Sequence, residues 1–486
     1  MGGTISVYGD TDGTPEEAPG TRPNAGASSP GGGLGWIVAL SLATGCMSAV
    51  LFAFLPFVAV EEGAITGTVL CGLALGWALL WQLSERFTAE PQRWASAPAL
   101  FMGVGGLVLV TFGSTMVEAL SWVWPPSLLV LVIWMVRRAR TDMRSRGGRI
   151  QLYLVFGILA ILAVGGGFQL VGKTTDSTTM PSTGRLIDVG GHQLYLSCVG
   201  SGSPIVVLEP GAGATSAQMG WIAPAVARDT RVCVYDRAGR GWSEPADTAQ
   251  DGAQIATDLH TLMHRAGEAG PYVLAGHSFG GLYVRIFAAH YPDEVAGLVL
   301  VDSTDSKQPP RSVIPTASEE PTTGRVPVLA SLAARVGLTR VLGQLDLGSL
   351  PPQSRDEART SVAQVGFVRS AVDEYMRGTA AMHEAASLRD FADKPLFVLT
   401  AGEHPASWMA SQKQMLTLST NSTQQVVMGA AHTDVLLDEK YAAATAQAIL
   451  AVVDSVQHDR SLSTESVAEL AAEVRDDNTT GMRHST

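Results

Sequence analysis

Between Leu34 and about residue 171 the chain is almost wholly apolar, in five stretches at about 34–60, 64–83, 98–120, 122–136 and 150–171. Most reach the roughly 20 residues that a helix needs to cross a hydrocarbon core. The stretch 122–136 is short and carries Pro125-Pro126 near its start, which a spanning helix tolerates when its neighbours re-satisfy the freed backbone groups. Trp122, Trp124 and Trp134 suit interfacial positions at its two ends. The alternative, buried core helices of a large soluble domain, does not suit charge-poor runs of this length repeated five times. About five transmembrane helices are predicted over 34–171.

The basic residues orient these spans. Arg137, Arg138, Arg140, Arg144, Arg146 and Arg149 form the densest positive loop, and such loops stay cytoplasmic. The loop with Arg86 and Arg93 falls on the same side, whereas Glu61-Glu62 falls on the other. Five spans with a cytoplasmic N-terminus satisfy all three loops. Everything after the fifth span is then extracytoplasmic.

After a polar linker, Lys173 to Thr183, the periodicity becomes that of a soluble domain. Residues 185–189 and 192–199 read as a hairpin closed by Gly190-Gly191. Short apolar strands follow at 204–209, 231–235, 272–275, 297–301, 395–400 and 424–428, separated by helical patterns at about 216–228, 250–267, 281–290 and 434–456. Strands alternating with helices predict a mostly parallel sheet with helices on both faces, an α/β class. Residues 302–394 interrupt the alternation with a Pro-rich opening and helices near 326–344, 354–377 and 379–390, which read as a helical cap over about 306–390. The segments 1–33 and 458–486 are too polar to bury a core and read as disordered tails, leaving 184–457 as the soluble domain.

Composition changes the picture only at its edges. Of 486 residues 46% are hydrophobic and 16% charged, and the mean hydropathy of +0.18 is high for a wholly soluble protein. A net charge of -12 argues against nucleic acid as a partner. Four cysteines exclude a disulfide-scaffold fold. Neither a metal-ligand spacing nor a nucleotide-binding loop is evident, so no metal and no cofactor are expected.

The candidate chemistry centres on Gly276-His277-Ser278-Phe279-Gly280, a G-x-S-x-G pentapeptide between an apolar strand and a helix-like stretch. Such a turn strains the serine backbone and projects its hydroxyl from the strand end. A serine hydroxyl is a weak nucleophile at neutral pH and needs an adjacent base. His432, between the last strand and the last helix, is the candidate, with His404 as competitor. His277, inside the turn, reads as packing beside the serine.

Several ordered motifs accompany the pentapeptide: Leu208-Glu209-Pro210-Gly211-Ala212-Gly213, Tyr235-Asp236-Arg237-Ala238-Gly239-Arg240-Gly241, Leu298-Val299-Leu300-Val301-Asp302 and Gly429-Ala430-Ala431-His432. With them, residues 184–456 resemble an α/β-hydrolase. The resemblance implies a Ser278–His432–acid triad and an oxyanion hole made by the backbone N–H of Phe279 and of Ala212, with Gly211 as an alternative. It departs from the usual pattern at the acid. An aspartate is expected shortly after the strand 395–400, where the chain has Ala401-Gly402-Glu403-His404-Pro405. Asp302, ending the preceding strand, is favoured, Glu403 is the alternative, and Asp305 and Asp434 are weaker. Asp236 and Arg237 read as an ion pair bracing loops. The fold would also set the strands of Cys198 and Cys233 side by side, so a disulfide is expected there.

The expected function is a membrane-anchored serine hydrolase cleaving an ester-type substrate, a small acyl molecule or a lipid, through an acyl-enzyme. An acyltransferase using the same triad and a non-catalytic binding module on the same scaffold are the rivals. An epoxide or haloalkane hydrolase fits less well, since relatives of that kind use aspartate where this elbow has Ser278.

Overall fold

The computed structural model describes residues 32–462 except 177–178, 247, 307–323, 344–346, 348 and 389. The expected tails, apart from their inner ends, and the Pro-rich opening of the cap lie outside the described residues.

Five helices come first: α1 (Gly32–Ala53), α2 (Glu62–Phe87), α3 (Ser96–Phe112), α4 (Ser114–Asp142) and α5 (Arg146–Thr175). All five are long and apolar enough to cross a membrane. The apolar run predicts a third span ending near 120, but the chain breaks earlier, at Gly113 with φ +60. Hydropathy is continuous across that point, so only the left-handed backbone of a glycine marks the end of α3. The fourth helix is consequently 29 residues long, with Pro125 and Pro126 well inside it.

Small residues let the helices touch. A Cβ on Gly72 would lie 2.3 Å from the Ala49 amide nitrogen, so α1 and α2 meet backbone to backbone. At one end of the bundle Glu90 accepts from the amides of Arg144 and Ser145, joining the loop after α2 to that after α4. At the other end Arg335, from the cap, binds Glu62 and lies 3.7 Å from Glu118. Glu62, Glu118 and the soluble domain thus share one end, and the arginine-rich turns occupy the opposite one.

The eight strands are β1 (Gly184–Asp188), β2 (Gln193–Val199), β3 (Ile205–Glu209), β4 (Val232–Tyr235), β5 (Tyr272–His277), β6 (Val295–Val301), β7 (Leu396–Ala401) and β8 (Ser422–Val427). They form one sheet in the order β1-β2-β4-β3-β5-β6-β7-β8. Both pairings of β2 are antiparallel, and every pairing from β4/β3 to β7/β8 is parallel. Side chains alternate across the central strands. Ile205 and Val207 of β3 join a core with α7 (Gly252–Ala266) and α8 (Gly280–His290), whereas Val206 and Leu208 join one with α6 (Ile222–Val226) and α15 (Glu439–His458). A disulfide links Cys198 to Cys233, directly opposed on β2 and β4 with Cα atoms 4.1 Å apart.

The described part of the cap holds α9 (Arg325–Arg335), α10 (Leu338–Leu342), α11 (Pro352–Val362) and α12 (Val365–Ser387). The helical pattern predicts a break at residue 378, but α12 runs through it. Gly378 serves packing instead: a Cβ there would lie 2.6 Å from the ring of Phe279. Two short helices, α13 (Ala406–Met415) and α14 (Asp434–Leu437), follow β7 and β8.

Candidate active site

The parallel strands converge at their carboxyl ends, and the candidate residues sit there. Ser278 follows β5 with φ +54, a left-handed backbone unusual for a residue with a Cβ. The elbow has no spare room. A Cβ on Gly276 would lie 2.4 Å from the Gly280 carbonyl oxygen, and one on Gly280 would lie 2.4 Å from that of Glu209. The small residues of the pentapeptide are therefore steric requirements of the strand-to-helix turn.

Asp302 follows β6 and is also left-handed, at φ +41. His432 lies five residues beyond β8. The three come together: His432 Nε2 is 3.0 Å from Ser278 Oγ, and His432 Nδ1 is 2.6 Å from Asp302 Oδ2. The other oxygen of Asp302 accepts from Trp408 Nε1 at 2.9 Å and from the Ala401 amide at 3.2 Å. Asp302 has no solvent exposure. Burial pushes its carboxyl up, yet the hydrogen bond and charge of His432 with the Trp408 donor outweigh that and hold it below the ordinary carboxylate range. An ionised Asp302 fixes His432 with its proton on Nδ1, leaving Nε2 to accept from Ser278.

The remaining candidates separate clearly. Glu403 is exposed and makes a backbone bond to Ala430, and its carboxylate has no bond to His432. Asp434 accepts from the Ala431 amide at the foot of the His432 loop. Asp305 is buried near Arg285. His404 does not reach Ser278; its Nε2 lies 2.6 Å from Asp302 Oδ2, and its ring stacks on Trp408. His277 bonds the His432 carbonyl at 3.0 Å, and burial, reinforced by the charge of His432, lowers its pKa to about 3. It is a neutral packing partner.

The loop after β3 is held from behind. Arg237 binds Glu209 and donates to the carbonyls of Pro210 at 2.7 Å and Gly211 at 2.6 Å. In a trans peptide the C=O and the following N–H point in opposite directions. The N–H of Ala212 therefore faces away from Arg237. The same reasoning applies to Phe279, because the Ser278 carbonyl accepts from Gly281 and Thr304. Neither amide has a hydrogen-bond acceptor among the described residues. Gly211 lies against the serine, since a Cβ on it would come 3.1 Å from Ser278 Cβ.

Arg237 does not pair with Asp236, as the sequence suggests. Asp236 instead accepts from the amides of Ser216 and Trp242. The ionic partner missed by sequence reading is Glu374, from α12. It binds Arg240, lies 3.0 Å from Arg237, and accepts from the Gly213 amide and the Tyr283 hydroxyl. Burial raises Glu374, but Arg237 and Arg240 hold it below its ordinary value; in Glu209 burial wins and the pKa is raised. Nothing near Glu374 in sequence signals this role, since its partners lie more than 90 residues away.

Residues 204–325 match the family model described as the alpha/beta hydrolase fold. That segment includes the strained serine, β6 and Asp302. The soluble domain has the α/β-hydrolase fold. Among proteins similar to this chain is an uncharacterized protein of Schizosaccharomyces pombe, 29% identical over 224 residues, which cover 45% of this chain and 40% of that protein. An uncharacterized vacuolar membrane protein of Saccharomyces cerevisiae is 31% identical over 132 residues, 23% of this chain and 20% of its own. A thermophilic esterase from Thermogutta terrifontis is a structural neighbour at 20% identity, covering 57% of this chain and 99% of its own with a TM-score of 0.44. The chain spans less than half the length of these two curated relatives.

Proposed function

We propose that the protein is a membrane-anchored serine hydrolase cleaving ester-type acyl substrates. The observation that carries this reading is the 3.0 Å approach of His432 Nε2 to Ser278 Oγ, with buried Asp302 behind the imidazole. Ser278 attacks the acyl carbonyl while His432 takes its proton. Asp302 stabilises the imidazolium, and the N–H groups of Ala212 and Phe279 receive the oxyanion. His432 then returns the proton to the leaving alcohol. Water, deprotonated by the same base, releases the acid and restores Ser278.

An acyl substrate drawn from the bilayer fits the seat of the cap. Arg325 donates to the carbonyls of Ala53, Leu55 and Val58, and Arg340 binds Asp176 and Gln169, so α9 and α10 are fastened to the membrane helices. The Val336 carbonyl would meet a Cβ on Gly165 at 2.2 Å. Gly165 stands about 24 Å of helical rise above Arg149, less than the ~30 Å of a hydrocarbon core. The half-exposed Leu338, Val341 and Leu342 of α10 are therefore level with the outer rim of the bilayer. From there α9 packs along α12, whose Tyr375 and Gly378 meet Phe279 beside the nucleophile.

An impermeant fluorophosphonate applied to intact cells tests chemistry and orientation together. Labelling of wild type and not of Ser278→Ala is expected. Labelling only after lysis would reverse the orientation and leave the chemistry standing; no labelling of folded protein would remove the serine-hydrolase reading. For the substrate, Leu338→Asp with Leu342→Asp should slow cleavage of a vesicle-embedded ester by roughly tenfold or more and spare a water-soluble one. Equal rates on both would overturn the bilayer route.

A further inference from the structure

At the end of the sheet opposite Ser278, two histidines and a carboxylate converge without any part in the proposed reaction. His260 and His264 are four residues apart on α7, so their rings share one helical face. Glu294 enters from the short turn just before β6. His260 Nε2 is 3.0 Å and His264 Nε2 is 3.1 Å from the same atom, Glu294 Oε1. The second oxygen, Oε2, is buried and has no hydrogen-bond partner. Two ring nitrogens thus crowd one oxygen while the other has no partner, which is a poor solution if hydrogen bonding were the whole purpose.

We propose that His260, His264 and Glu294 form a binding site for a zinc-type divalent cation. Two imidazole nitrogens and a carboxylate oxygen are a zinc ligand set, and water completes four-coordination. The spacing suits it. A tetrahedral ion with bonds of about 2.0 Å separates its ligands by about 3.3 Å, and two of the three edges here stand at 3.0 and 3.1 Å. By the same measure the Asp302–His404–His432 cluster is a poorer site, because its nitrogens stand 2.6 Å from Asp302 Oδ2, a hydrogen-bond separation. Binding needs no net proton release from neutral histidines: each imidazole carries its proton on Nδ1 and presents Nε2 to the ion. The ring of Tyr291 stacks on His260 at 4.0 Å and limits its rotation. His264, 57% exposed, leaves a side open for the ion and its water.

The ion would clasp the last turns of α7 to the entry of β6, the strand that carries Asp302 at its far end. Histidines at i and i+4 are a weak sign alone, and the third ligand lies 30 residues beyond His264 in sequence. Folding supplies it.

The test uses the full chain in nanodiscs with Co2+ as a spectroscopic stand-in, displaced by Zn2+ to obtain its affinity. One equivalent of Co2+ should give the visible absorption of a tetrahedral nitrogen and oxygen site. His264→Ala and Glu294→Gln should each weaken Zn2+ binding at least about tenfold, since even partners one shell removed from a metal cost that much. His404→Gln should bind as wild type does. Absence of the visible band, wild-type affinity in both ligand variants, or loss of binding in His404→Gln would each overturn the proposal. Ser278→Ala should bind the ion like wild type, so the outcome is independent of whether the serine is reactive.

Discussion

The membrane bundle and the hydrolase domain solve the packing problem in opposite ways. In the bundle, glycines bring backbones into contact, and ion pairs such as Arg93–Glu85 and Lys173–Glu118 lie near helix ends. In the hydrolase domain, Glu209, Arg237, Glu374 and Arg240 are buried together, each exposing 4% or less of its side chain. The difference follows from the solvent. Lipid tails give apolar helices no hydrophobic reason to associate, so close approach and dispersion must hold them. The sheet domain removes much apolar surface from water, and that gain tolerates a costly buried ion network which holds the loop beside Ser278 in place.

Breaking the ion network should have the largest effect. Glu374→Gln leaves Arg237 and Arg240 without one shared carboxylate, and a loss of about 3–5 kcal/mol is expected in denaturant unfolding of the hydrolase domain. If the loss is under about 1 kcal/mol, water reaches the cluster and the contrast with the bundle fails. Reduction of the Cys198–Cys233 bridge, which spans 35 residues, should cost about 3 kcal/mol by the same measurement and leave the bundle unaffected.

Acid sharpens the comparison further, because His277 is buried in the hydrolase core. Its folded pKa is about 3 against an ordinary 6.5. The unfolded chain takes up a proton below pH 6.5 that the folded chain refuses until about pH 3. Stability is therefore lost as pH falls through that window, by about 2 kcal/mol at pH 5. His277→Asn should remove most of the difference between urea midpoints measured at pH 7 and pH 5. The smallest effect belongs to the bundle. Gly72→Ala should force α1 from α2 at a cost of about 1 kcal/mol in detergent-induced unfolding, while the rate of fluorophosphonate labelling stays at the wild-type value.

Legibility varied with how local each cause was. Ser278 is readable because its elbow is a local steric motif, and His432 because strand order assigns it to the right loop. The sequence favoured Asp302 over Glu403 without deciding between them. Both follow adjacent strands at the same end of the sheet, and only the left-handed backbone at Asp302 with the Trp408 donor decides which carboxylate meets His432. The break at Gly113 was hidden by uninterrupted hydropathy, and the helices expected to part at 378 are continuous there, because a helix break and a seat for an aromatic ring both favour glycine.

Sequence alone determined the properties that depend on near neighbours: five apolar spans, alternation of strand and helix, and the residue types at the elbow. These follow from hydrophobic periodicity and backbone sterics, which act within a few residues. The tertiary structure decided what depends on side chains meeting across long separations: the acid beside His432, Glu374 behind the loop at Gly213, the anchoring of α9 and α10 on the bundle, and the meeting of Glu294 with His260 and His264. Pairing of charge and satisfaction of buried polar groups are properties of a place in space, and the chain reaches that place only by folding.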